Sequence, residues 1–578
     1  MLLLPFLAQG QELMNYQKSL KYIPAIALSL IVMLAGMILY YILRYGIDVP
    51  YMDQWEYVGF FEHLAKGTLT FGELFKQQNE YRQFFPNIIY VFLGWITDWN
   101  TRYEMIVIFL LACLTSFNIY RLAKHGNEPW LKWALFFMAN LIIFSPGQYE
   151  NWLFGVQIEY FIPIVCVSSA MVIVFSGMDA RWKLVFCMLL AIISTYSSVN
   201  GFLCWIVLLP VFLLSGNDKT FFKKWPVVLT WIAGAVVTLI IYFIDYQKPA
   251  HHPSLDESVV HPLNALKYFL SVIGNPLRIV HSIDLIVFSG SVLMIAYLAL
   301  VVYILRHRKN LELMHNSIVW MMLGLYSIMT AAMIMVGRLG FGFEQALSSR
   351  YTSFALFLVV AVIYLTSIVF QHWSVGKSIT SFQKRGISLL LALFILSRVI
   401  AYPFDVKELK KYHANIQHAK AGLLFISYIP NQECVNKIYP SDFGHQLQIK
   451  AKVLDSLGYL NPPLVKSNVL QDIEGVGSKE LKYGSFDKLI KLNDSIFIAS
   501  GYSNIPKTNE PSDAIILTYE DGKGKSLLLA FDNKDTLYWK KMFSVEKVTV
   551  NPIIIKAWAF DANTAKAYRL KGSCIINK

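Results

Sequence analysis

Charge is what this sequence has least of. Asp, Glu, Lys and Arg make up 15% of its 578 residues, against about 25% in an ordinary globular chain. A soluble fold of this length needs far more charge on its surface, so most of the chain is expected in lipid. Cysteine is also sparse, with six residues. Cys113, Cys166, Cys187 and Cys204 fall in apolar runs and read as inert core residues. Cys434 and Cys574 lie in a polar tail, where an oxidising compartment would permit a disulfide that spacing alone does not fix. No CxxC or Cys/His ligand spacing occurs, which removes the zinc-ribbon and dithiol redox classes. No internal repeat is visible either, which weighs against an inverted-repeat transporter.

What is present is hydrophobic: 56% of residues, with mean hydropathy +0.47. Apolar runs long enough to cross about 30 Å of hydrocarbon recur from Tyr22 to near Tyr402. After Phe404 the composition turns to Lys, Asp, Asn and Gly. Two parts follow: a membrane domain over 1–404 and a soluble domain over 405–578. The first run follows Lys18 and Lys21 and is too long for a cleaved signal, so it reads as a retained anchor. The net charge of +13 is read through membrane orientation rather than as a nucleic-acid footprint.

Spans are expected at 22–43, 103–120, 131–146, 158–176, 184–199, 202–215, 226–245, 283–305, 317–337, 351–371 and 386–403. With the N-terminus inside, the clusters around Arg121, Arg181, Lys219, Arg306 and Lys384 all face the cytoplasm, as the positive-inside rule requires. Phe84–Thr97 and Leu263–Gly274 are too short to cross and read as interfacial or re-entrant helices. Eleven spans then leave the tail outside.

That orientation gathers the polar residues of the membrane domain on the outer face. Asp53 and Glu56, spaced i and i+3, suit a base with a helper, or else a helix cap with a solvated acid. Asn79, Glu80 and Arg82 lead into an apolar helix, as ligand contacts or as its polar start. Glu150 and Asn151 bind ligand or cap helix ends, and Glu159 is an ionisable residue within a span. Asn200-Gly201 reads as a tight turn. Lys248, His251 and His252 are three candidate cations for a phosphate; adjacent histidines are poorly disposed for one metal. Arg338, Arg350 and Tyr351 flank a glycine-rich stretch, where guanidinium groups suit bidentate phosphate recognition or snorkelling to headgroups.

A carboxylate and several cations at a membrane surface fit a sugar carried on a polyprenyl phosphate. Transfer from such a donor needs a base for the acceptor hydroxyl and cations for the departing phosphate. With Asp53 after the first span, short helices after it, an odd span count and an outward tail, the chain resembles the GT-C superfamily of integral-membrane glycosyltransferases. DQWEY, NEYRQFFP, QYENWLFGVQ, YQKPAHHP and QALSSRY resemble a bacterial branch of that group, over roughly 45–371. The resemblance implies Asp53 as general base, donor-phosphate contacts from Arg338, Arg350 and Lys248, and inversion at the anomeric carbon. Glu56 departs from the paired acids of several members, so no metal cofactor is expected to be required. It also implies the bacterial cytoplasmic membrane, a polyprenyl-phosphate-linked sugar donor and a glycan or glycolipid acceptor. A lipid-linked polysaccharide polymerase or ligase, and a flippase, are the alternatives.

The tail opens with an amphipathic helix over Val406–Ala421. Strands are expected at Gly422–Tyr428, Ser495–Ser500, Ala514–Tyr519, Ser526–Phe531 and Ile553–Phe560, forming a largely antiparallel β-sandwich. Trp539, Trp558 and Tyr568 are read as core rather than as a sugar platform.

Overall fold

The computed structural model describes residues 22–123, 129–214, 225–249, 257–375, 381–428, 436–439, 444–505, 511–532 and 537–577. His251, His252 and Cys434 lie outside the described residues. Two compact units form. The first comprises the chain through Gly46 with Thr70–Tyr90 and Glu104–Leu409; the second comprises Ile47–Leu69, Val91–Tyr103 and the chain from Lys410 on. Part of the first long loop therefore folds with the tail, although composition alone puts it in the membrane domain.

The helices are α1 (Ile23–Tyr45), α2 (Val58–Ala65), α3 (Phe71–Phe75), α4 (Phe84–Thr97), α5 (Arg102–Leu122), α6 (Pro129–Ile143), α7 (Tyr149–Leu153), α8 (Ile158–Val174), α9 (Ala180–Thr195) and α10 (Leu203–Leu214). After them come α11 (Trp225–Phe243), α12 (Pro262–Gly274), α13 (Ile283–Arg306), α14 (Leu311–Arg338), α15 (Thr352–Ser374), α16 (Ser381–Leu424) and α17 (Gly444–Leu457). Among the described residues, nine helical stretches are long and apolar enough to cross a membrane. The protein is thus a polytopic helical membrane protein with a C-terminal β domain.

One expected span comes out differently. That at 184–199 falls on α9, of 16 residues. At 1.5 Å per residue it rises only about 24 Å, short of a full crossing. The one at 202–215 falls on α10, described from Leu203 to Leu214. Between them Val199–Phe202 is a 3-10 turn in which Asn200 and Gly201 are buried. Gly201 is required there, because a Cβ would drive into the Ser194 carbonyl. The short helix α12 packs against α13. Gly274 sits on the Ile286 carbonyl, and Gly290 on the Leu270 carbonyl, so the two backbones touch.

The expected span at 386–403 and the amphipathic helix over Val406–Ala421 are one 44-residue helix, α16, which continues through Pro403. Neighbouring groups can re-satisfy the carbonyl that a proline frees within a membrane helix. The two compact units divide within this helix, after Leu409.

Among the described residues, eight antiparallel strands follow: β1 (Gly484–Lys491), β2 (Ile496–Ser503), β3 (Ala514–Glu520), β4 (Ser526–Asp532), β5 (Tyr538–Ser544), β6 (Ile553–Asp561), β7 (Lys566–Arg569) and β8 (Cys574–Ile576). They form a β1-β2-β5 sheet and a β4-β3-β6-β7 sheet, with β8 also on β6. Phe486, Phe497 and Trp539 of one sheet pack with Leu517, Ile555 and Ala557 of the other, which is the expected sandwich. Trp558 is buried in a second cluster with Leu424, Phe425, Phe531 and Phe560. That cluster explains why 422–428 is not a strand: its leucines and Phe425 belong to the helix end that covers the sheet. Tyr568 stacks on Tyr483 at 4.0 Å.

Candidate functional site

The first unit contains a cavity of about 350 Å³, within the size range of small-molecule sites. One wall is a stripe of α14: Thr330, Met333, Ile334, Gly337 and Arg338, at the i, i+3, i+4, i+7, i+8 spacing of a single helix face. Opposite are Glu80 and Tyr81, Tyr160 near the start of α8, Ser198–Asn200, Tyr246, Lys248 and Tyr351. The structure thus brings together four predicted residues, Glu80, Lys248, Arg338 and Tyr351. Arg338 Nη2 pairs with Glu80 Oε1, and its guanidinium lies 5.6 Å from the Phe341 ring centre. An anion entering here meets Arg338, paired with Glu80, and Lys248 on an exposed segment.

The loop that carries this wall is tightly held. Glu150 Oε2 accepts from Ser348 Oγ at 2.6 Å, Ser349 Oγ at 2.9 Å and the Arg350 N–H at 3.0 Å. Asn151 Nδ2 donates to the Arg350 carbonyl at 3.3 Å, and Asn275 Nδ2 to that of Ser348 at 2.9 Å. Glu150 and Asn151 therefore act as caps that fix where Tyr351 enters the cavity. Arg350 is not among the lining residues; its guanidinium lies 5.4 Å from the Tyr351 ring centre.

Arg82 is committed to the backbone. It donates to the carbonyls of Tyr242 at 2.8 Å, Phe75 at 3.0 Å and Ile244, and it stacks on Phe75. That makes it a clamp on the end of α11. Asn79 adopts φ 51°, which Asn tolerates, and so closes the Gln78–Tyr81 bridge. Asn79 and Arg82 line a second, open groove of about 890 Å³ that shares Lys248 and Pro249 with the cavity. Glu159 is buried and accepts from Tyr81 Oη at 3.0 Å and from Gln83 Nε2. It fixes the Tyr81 ring from behind.

Asp53 and Glu56 belong to the second unit, on the 3-10 turn Met52–Tyr57. Asp53 is exposed. Glu56 accepts from Tyr439 Oη at 2.6 Å and from Lys450 Nζ at 2.9 Å. Burial raises the Tyr439 phenol above its usual range, and the Glu56 hydrogen bond and the charges of Glu56 and Asp53 add to that. Glu56 is thereby a tether for the turn that carries Asp53. Asp48 takes the Thr101 N–H at 3.0 Å; burial raises its carboxyl pKa, and Lys420 offsets this in part. Among the described residues no three His, Cys, Asp or Glu side chains converge as a metal site would require.

Sequence reasoning missed Asn200, Tyr160, Tyr246 and Thr330. Asn200 is 3% exposed, and its Nδ2 donates to Tyr326 Oη at 2.9 Å. The signal was present in α14: Tyr326 and Thr330 are polar residues on the face that ends in Arg338, deep within a span.

No family model matches this sequence, and no curated protein matches it. Among solved structures, it is similar to the archaeal oligosaccharyltransferase AglB from Archaeoglobus fulgidus, in complex with an inhibitory peptide and a dolichol-phosphate. The two are 14% identical with a TM-score of 0.38. The match covers 73% of this chain and 59% of that one, so the chain spans under two thirds of the neighbour's length. The likeness is loose, and nothing about chemistry follows from it.

Proposed function

We propose that this protein is a membrane glycosyltransferase that takes a sugar from a polyprenyl-phosphate donor. The acceptor is a glycan or glycolipid at the outer face of the bacterial cytoplasmic membrane. The observation that supports the reading most is the cavity's pairing of cations with an apolar wall. Arg338 ends a stripe whose middle is Met333 and Ile334, and Lys248 lines the same cavity. A phosphate on a hydrocarbon chain has that same division of charge. In this reading the N-terminus is cytoplasmic and the β domain extracytoplasmic. Asp53 takes the acceptor proton, Glu56 holds its turn, and no divalent metal is required. Inversion follows from direct displacement.

A second reading has an observation of its own. Among the described residues Glu80 is the one carboxylate that lines the cavity, so it, rather than Asp53, serves as base once an incoming phosphate has taken over Arg338.

Farnesyl phosphate binding to the full-length protein in nanodiscs tests the phosphate site. A charge-assisted contact is worth about 1.5–3 kcal/mol. Lys248→Ala and Arg338→Ala are therefore each expected to weaken binding by roughly tenfold or more. Unchanged affinity in both variants rules the cavity out as the phosphate site.

A further inference from the structure

The cavity has a polar floor that its cationic mouth does not explain. Along α14, Thr330 lies eight residues before Arg338 and Tyr326 twelve, a descent of about 12–18 Å at 1.5 Å per residue. Asn200 meets Tyr326 at that depth. The turn between α9 and α10 that carries Asn200 is thereby held inside the bundle. Irregular backbone at such depth is tolerated where it is buried in protein or lines a cavity.

The Asn200 amide has one polar group on Tyr326, while its Oδ1 is buried without a hydrogen-bond partner. Turning the amide over exchanges the two groups but still leaves one for a ligand. A hydrocarbon chain in this position would leave that group without a partner. The floor is therefore badly matched to a prenyl tail and well matched to a hydroxyl.

We propose that the floor of this cavity, built on Asn200 and oriented by Tyr326, is the sugar-recognition site. It receives a ring hydroxyl while the phosphate stays at the Lys248–Arg338 mouth. The inference rests on the donor reading above and adds which end of the donor enters. Tyr326 is a positioning residue: its hydroxyl fixes the amide and touches no ligand. Ser198 and Thr330 border the same space and supply further hydroxyls to a polyhydroxylated ring.

The test compares farnesyl phosphate with farnesyl-phosphoryl glucose, galactose and N-acetylglucosamine on full-length protein in nanodiscs. At least one sugar ester is expected to bind wild type more tightly than farnesyl phosphate does. Asn200→Ala is expected to reduce that preference about tenfold and leave farnesyl phosphate affinity unchanged. Tyr326→Phe keeps the ring packing and is expected to reduce the preference less. The proposal is overturned if no sugar ester is preferred, or if Asn200→Ala and Tyr326→Phe shift sugar ester and farnesyl phosphate equally or not at all. Failure of the donor reading looks different: farnesyl phosphate itself then binds without regard to Lys248.

Discussion

Glu80 and Arg338 stand 258 positions apart and meet at the cavity mouth. Sequence reading reached both, because a dense polar stretch beside an apolar run is visible without coordinates. It also flagged Arg82, Glu150 and Arg350, whose polar atoms the structure shows engaged with backbone or with neighbouring side chains. Composition shows that a charge is near an interface, not which acceptor it finds. Asp513 makes the same point in the β domain. Burial beside Asp561 pushes its carboxyl up to about 7, although it accepts from the Ala562 N–H at 2.7 Å and from Gln417 Nε2 at 3.1 Å and feels the Lys420 charge. The folded state holds this proton more tightly than the unfolded chain does. Its stabilising contribution is thus full below about pH 4 and is lost as pH rises towards 7. The loss is on the order of 4 kcal/mol at most. Amide exchange of β3, corrected for its intrinsic pH dependence, should show protection falling from pH 5 to 8. Asp513→Asn should flatten that slope; an unchanged slope means that the carboxyl ionises freely.

At the scale of elements, most helices could be read from apolar run length, and four of the five expected strands form at or near their expected places. What could not be read was depth. The turn at Asn200-Gly201 has the composition of any tight turn, and only the burial of both residues and the hydrogen bond from Asn200 to Tyr326 reveal that it lies inside. Helix contact was equally hidden, since Gly274 and Gly290 are unremarkable in sequence yet allow α12 and α13 to touch. Gly290→Ala would press a methyl into the Leu270 carbonyl. It is expected to cost about 1–3 kcal/mol and to lower the unfolding temperature of the detergent-solubilised protein. Gly36→Ala, where a Cβ meets nothing within 4 Å, is the control and should not. Equal melting of the two variants would contradict the close crossing.

For the molecule as a whole, the first long loop is divided between two units. Ile47–Leu69 carries Asp53 and folds with the tail, whereas Thr70–Tyr90 carries Glu80 and folds with the helices. The proposed base and the proposed phosphate site thus belong to different compact units. A direct measurement is release of polyprenyl phosphate from a polyprenyl-phosphoryl sugar by full-length wild type, Asp53→Asn and Glu80→Gln, with an acceptor extract from the source membrane. The account predicts turnover by wild type and its loss, by at least about a hundredfold, in Asp53→Asn with lipid binding intact. Near-normal turnover in Asp53→Asn would contradict it, and loss confined to Glu80→Gln would move the base into the cavity.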